Sequence, residues 1–197
     1  MNIKQTPSQT IGPFFSYGLA PQQYGYSKHR SIASNVMTTD QNENEKIYIE
    51  GIVFDGTEQP VPDALVEVWQ ADSNGHYMDP QDEKLSNSNF TGFGRCGTGT
   101  YKEHRFMFET VKPGITKDNQ APHLNIIIFM RGLLLHTFTR MYFPDEEAAN
   151  AKDPVLSTVP EDRRHTLIAK QIFPSLQNRY VFDIHMQGRD ETIFFDI

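Results

Sequence analysis

From residue 47 onward, apolar and polar positions alternate in short runs separated by Gly, Pro, Asn and Ser, the pattern of half-buried strands joined by turns. IYIEGIVFD (47–55) sets Ile47, Ile49 and Gly51 against Tyr48 and Glu50. ALVEVWQA (64–71) reads as a second strand, HRFMFETV (104–111) as a third, HLNIIIFM (123–130) as a fourth and LHTFTRMYF (135–143) as a fifth. RYVFDIHMQG and ETIFFDI predict a closing hairpin around 187–190, and the Gly-, Asn- and Ser-rich segment 86–100 predicts a loop anchored by Phe90 and Phe93. Helical signals are short and late. Pro144 followed by three acids opens one helix that Asp153-Pro154 closes, and Pro160-Glu-Asp opens another turn. The expected fold is all-β, an antiparallel β-sandwich core with short helices.

The first 46 residues lack this period. They carry Pro7, Gly12, Pro13, Gly18, Pro21 and Gly25, yet also Phe14, Phe15 and Tyr17, more aromatic surface than a free tail usually has. Such an arm is expected to pack on its own domain or on a neighbouring subunit. The division expected is an arm with its acidic loop at 1–46 and a sandwich domain at 47–197. A net charge of −7 without a basic block argues against a nucleic-acid partner. The longest apolar run, Ile126–Met130, is far too short to span a membrane. The N-terminus has no apolar signal-peptide core, and the single cysteine, Cys96, allows no internal disulfide, so the expected compartment is the cytoplasm.

Candidate chemistry concentrates between Val111 and Gly132. His123 and Asn125 stand at i and i+2 of one strand, so both leave on one face of the sheet. They either satisfy backbone groups at the strand's end or aim ligands into a cleft. Trp69, Phe106, Phe108, Phe129 and Phe138 are expected in the core, His136 as a satisfied strand histidine, His76 in solvent and Cys96 as structural. From the residues alone, Arg131 reads as a surface charge at a strand end.

The motifs EVWQADSNGHY, TVKPG and APH, in that order and spacing, resemble the intradiol ring-cleaving dioxygenases, with similarity running from Thr6 to the end of the chain. FPDEEAANAKDPVL and GRDETIFFDI resemble the α-type chain of family members built from paired, homologous α and β chains. The resemblance implies a mononuclear non-haem Fe(III) held by two tyrosines and two histidines, hard anionic phenolates stabilising the oxidised metal. It also implies opening of an anionic catechol, 3,4-dihydroxybenzoate, between its hydroxylated carbons. By this resemblance Tyr77 stands at the first tyrosine position and His123 at the first histidine position. Asn125 stands where the second histidine belongs, Thr116 where the second tyrosine belongs, and Gln120 where active chains carry an arginine. These four ligand positions, Tyr77, Thr116, His123 and Asn125, then form a degenerate iron site, and the Fe(III) cofactor belongs to the partner β subunit. The implied contribution of this chain is substrate binding from the side, by Thr10, Gly12, Pro13 and Phe14 of the arm and by Arg131, whose guanidinium suits a carboxylate. Phe14 departs from the tyrosine usual there. Two alternatives remain: a self-sufficient dioxygenase that recruits Tyr17, Tyr101 or His104, and a non-catalytic transthyretin-like sandwich.

Overall fold

The computed structural model describes residues 11–12, 14–38, 46–78, 89–172 and 178–196. Two sheets face each other. The first joins β4 (Arg105–Val111), β1 (Lys46–Phe54), β8 (Asn178–Val181) and β7 (Lys170–Gln171) in that order, with β9 (Ile184–His185) also on β1. The second has the order β3 (Phe93–Gly97), β2 (Leu65–Trp69), β5 (His123–Phe129) and β6 (Thr137–Tyr142). Alternation explains the layering. Ile47, Ile49, Val53, Phe106 and Phe108 from one sheet pack with Val66, Val68, Leu124, Ile126, Ile128 and Met141 from the other in one buried core. Cys96 is part of it, and burial pushes its thiol up to about 11. No helix among the described residues is long and apolar enough to cross a membrane.

Three local expectations change. The all-antiparallel sheet is mixed, because β8 and β9 both run parallel to β1. The predicted strand 179–188 breaks into these two pieces where Asp183 Oδ1 takes the N–H of Ile52 at 3.0 Å in place of a backbone carbonyl. The closing hairpin does not form. After one return bond, Thr192 N to His185 O at 2.9 Å, the chain leaves to bridge β6, Phe195 N donating to Phe138 O at 2.8 Å. Ile193 and Phe195 thereby cover a second apolar cluster of Ala121, Tyr142, Leu156, Val159 and Leu167. Finally, the segment expected as a loop contains β3, paired along β2 from Leu65↔Gly97 to Trp69↔Phe93. Its glycines hid it: a side chain at Gly97 would run into the Tyr24 ring, so the arm itself requires a bare backbone there.

The described part of the arm lies on its own sandwich. Helix α1 (Phe15–Leu19) sets Phe15 5.6 Å from Phe129, and Val36 and Thr38 bridge to Glu109 and Phe90. Of the two helical signals beyond β6, the first gives a 3-10 turn (Pro144–Glu146) and one α turn (α2, Glu147–Asn150), the second a 3-10 segment (Glu161–Leu167).

Asp153, fully buried, does more than end that first helical stretch. Its Oδ2 accepts from Ala121 N at 2.7 Å, and its Oδ1 accepts from Val155 N at 2.9 Å, Leu156 N at 2.7 Å and the Tyr142 hydroxyl at 3.1 Å. One carboxylate thus ties the approach to β5 to a 3-10 turn and to β6. In Asp153→Asn an amide N–H must face one of these donors, so the variant should lose about 2–3 kcal/mol in urea denaturation. An unchanged midpoint would show that the carboxylate is not what joins these elements.

Candidate functional site

The outer face of the second sheet is built in rows. Pairing sets Trp69 beside Asn125 and Asn125 beside Arg140; one step along β5, Glu67, Ile127 and Phe138 share a row, and one step back His123 sits beside Tyr142. Because alternate residues share a face, Trp69, Asn125, Ile127, Phe138 and Arg140 of these rows form the floor of a cavity of about 680 Å³. Two loops complete it. The 72–78 loop brings Tyr77 and the 111–120 loop brings Thr116, Lys117, Asp118 and Gln120. The loops touch at Gly75, where φ is +81° and a Cβ would collide with the carbonyl of Ile115, so only glycine lets them close. Gly114 N donates to Asp72 O at 2.9 Å across the same contact.

The four expected ligand positions lie in this region, and three of them, Tyr77, His123 and Asn125, are joined by hydrogen bonds whose direction is forced. His123 Nδ1 lies 2.7 Å from the carbonyl of Ala121, an acceptor only, so Nδ1 carries the proton and Nε2 a lone pair. The Tyr77 hydroxyl, 3.0 Å from Nε2, donates to it. Asn125 Nδ2 donates to Tyr77 Oη at 2.9 Å and to the carbonyl of Trp69 at 3.2 Å, which fixes the amide's orientation. Burial holds the Tyr77 phenol above its ordinary range, and burial with the Arg140 cation lowers His123 to about 4, so both are neutral. Thr116 is 7% exposed, and its Oγ1 has no hydrogen-bond partner among the described residues.

Several expectations change at this site. Trp69 is not a core residue: it is 50% exposed, edge-on to Tyr77 at 5.2 Å, in the cavity wall. Phe138 also lines the cavity, and Phe129, partly buried, packs on the arm. His136 is exposed, its ring between Phe129 and Phe138. Arg140 went without a role at the sequence level. It donates from Nη1 to Gln120 Oε1 at 2.8 Å and to the Tyr142 hydroxyl at 3.4 Å. Only strand register shows that it stands beside Asn125.

The expected substrate-binding residues lie elsewhere. Arg131 follows β5 at the end opposite His123, about 20 Å along the strand, paired with Asp63 and 57% exposed. Phe14 is 76% exposed beside Phe15, which bonds Gly12 O through its N–H and packs on Phe129, two residues before Arg131. Thr10 and Pro13 lie outside the described residues. Tyr17, Tyr101 and His104 do not line the cavity; Tyr17 packs on Tyr24 and Tyr26, Tyr101 takes a bond from Asn35 at 3.0 Å, and His104 sits exposed on a 3-10 turn (Lys102–His104).

A sandwich with this cavity on the outer face of one sheet is a dioxygenase fold, and the chain belongs to that family: the family model described as Dioxygenase matches residues 19–188. Among solved structures it is similar to an intradiol ring-cleavage dioxygenase from Tetranychus urticae, with a TM-score of 0.58, 18% identity, and 93% of this chain and 94% of the other covered. It is 50% identical over 196 residues to the protocatechuate 3,4-dioxygenase alpha chain of Burkholderia cepacia, covering 99% of this chain and 98% of that one. The beta chain from the same organism is 33% identical over 174 residues, covering 82% and 72%.

Enzymes of this family are generally non-haem iron proteins. The donors in this cavity do not fit ferric iron. The phenol gives its proton to the histidine that would have to bind metal, Asn125 points an N–H at the phenol oxygen, and Thr116 offers a neutral alcohol in place of a phenolate.

The neutral His123 makes stability pH-dependent with a definite sign. Its folded value, about 4, lies below the unfolded 6.5, so the unfolded chain takes up the proton first as pH falls. Stability is fully present above about 6.5 and declines as pH falls towards 4, by at most about 3 kcal/mol at about 1.4 kcal/mol per unit. His123→Gln, which does not titrate, should flatten that slope in denaturation midpoints measured across the window. An unchanged slope would assign the pH dependence to other groups.

Proposed function

We propose that this chain is the α-type, iron-free subunit of a protocatechuate 3,4-dioxygenase and works with a homologous β-type subunit that holds non-haem Fe(III). The closed Tyr77–His123–Asn125 hydrogen-bond chain carries this reading, since it occupies the donors that iron would need. The similarity to an alpha chain over nearly the whole length, with a beta chain as a more distant relative, supports the pairing. The assembled enzyme would convert protocatechuate and O₂ to 3-carboxy-cis,cis-muconate in a cytoplasmic route of aromatic catabolism.

In this reading the Arg131 end of β5, a second pole of the molecule, meets the partner. The arm's Gly12 and Phe14, with Thr10 and Pro13, wall the partner's substrate cavity, and Arg131 receives the substrate carboxylate. Asp63, mostly buried, takes an ion pair from Arg131 and limits the directions its guanidinium takes. Leu134 and Leu135 on the adjoining turn are 73% and 54% exposed, apolar surface suited to being covered. Segment 1–46 is then the arm that docks on the partner, and 47–197 the sandwich that carries it.

Co-expression with the homologous β-type chain, followed by iron analysis of the separated subunits, tests the pairing; iron in this chain would overturn it. In the complex, Arg131→Ala removes a charged hydrogen bond to carboxylate and should lower kcat/KM for protocatechuate roughly 10- to 100-fold through KM. The visible iron band should not change. Unchanged kinetics would remove Arg131 from the substrate site.

A further inference from the structure

The cavity over the second sheet has the composition of a ligand site, although its donors do not suit iron. Trp69, Ile127 and Phe138 supply apolar wall. A half-exposed tryptophan in a concave surface presents a flat face to whatever enters. Two strand spacings from Trp69, about 10 Å away, Arg140 occupies the other end of the Trp69–Asn125–Arg140 row. No carboxylate forms an ion pair with Arg140 among the described residues; Gln120 and Tyr142, which it does touch, are neutral. Asp153 stands behind Tyr142 with its oxygens taken by three backbone N–H groups and that hydroxyl. Lys117 and Asp118 are a cation and an anion on the cavity lining. Thr116 also borders the cavity, with its Oγ1 shielded from solvent and without a partner among the described residues.

We propose that this cavity is a metal-free binding site for a planar aromatic carboxylate, the ring against Trp69 and the carboxylate on Arg140. The spacing of the row matches one ring plus its carboxylate, and an aliphatic acid would leave the Trp69 face uncovered. Tyr77 enters only as a wall, its hydroxyl already engaged with His123 behind it. The site depends on this chain's own residues and needs neither the partner nor its iron, so its failure would leave the subunit assignment standing.

Trp69 is the only tryptophan of the chain, so its fluorescence reports on this cavity without interference. The full chain, free of partner and iron, is titrated with 4-hydroxybenzoate and with neutral 4-hydroxybenzamide, and calorimetry is run in parallel. The acid should quench Trp69 saturably with Kd below about 1 mM, and the amide should bind at least about tenfold more weakly. Arg140→Gln should raise Kd for the acid roughly 10- to 100-fold, with Arg140→Lys between the two. The comparison of acid with amide on the unaltered chain stands even where Arg140→Gln impairs folding. No saturable signal up to about 10 mM, equal binding of acid and amide, or equal affinity in a folded Arg140→Gln would overturn the proposal.

Discussion

The carbonyl oxygen of Ala121 can only accept a hydrogen bond, and the character of the cavity follows from that. It takes the Nδ1 proton of His123, which leaves Nε2 as an acceptor and makes the Tyr77 hydroxyl its donor. The carbonyl of Trp69 acts the same way from the other side, turning the Asn125 amide so that its N–H groups face Trp69 and Tyr77. Two backbone acceptors thus polarise a chain of three side chains in one direction. Asp153 holds the first of them in place through the N–H of Ala121. A metal ion would need the reverse arrangement, lone pairs converging on one point with the phenol deprotonated.

Strand β5 carries both poles of the molecule on one rigid element. Asn125 lines the cavity near the strand's start with His123 bonded to Tyr77 beside it, while the turn after the strand's end carries Arg131. Phe15 against Phe129 couples the arm to that second end, and Arg95 Nη1 donates to Leu19 O at 3.2 Å to hold the last residue of α1. A partner meeting the second pole therefore meets residues positioned by the sandwich, although none touches the chain's own cavity. Under the proposed pairing, that separation would let a chain without metal donors contribute to a neighbour's site.

Much of this was legible before the structure, and what was missed shares a cause. Period-two alternation located β1, β2, β4, β5 and β6, because each buries one face against the opposing sheet. It failed for β3, whose Gly97 yields to Tyr24, and for the C-terminus, where Phe195 pairs with Phe138 across to the other sheet. Both are set by tertiary contacts that local pattern does not encode. The same limit applied to the cavity. His123 and Asn125 were visible as a same-face pair and Tyr77 as a motif residue, but Trp69 read as core and Arg140 had no role. Their place beside Asn125 follows only from the register of β2 and β6 on β5.

A buried polar cluster that has no metal must satisfy its groups internally or lose stability, because each unpaired donor or acceptor costs about 1–3 kcal/mol. Tyr77, His123, Asn125, Gln120 and Arg140 meet that condition, each with at least one partner inside the cluster or on nearby backbone. The cavity therefore holds its shape without an ion, and its floor is as fixed as the sheet beneath it. Thr116 is the exception, its Oγ1 shielded without a partner among the described residues next to the close Gly75–Ile115 approach. With those groups engaged, the unneutralised Arg140 guanidinium is the part of the network left for something entering from solvent. That distinguishes a cavity able to recognise an anion from one that has merely lost its metal.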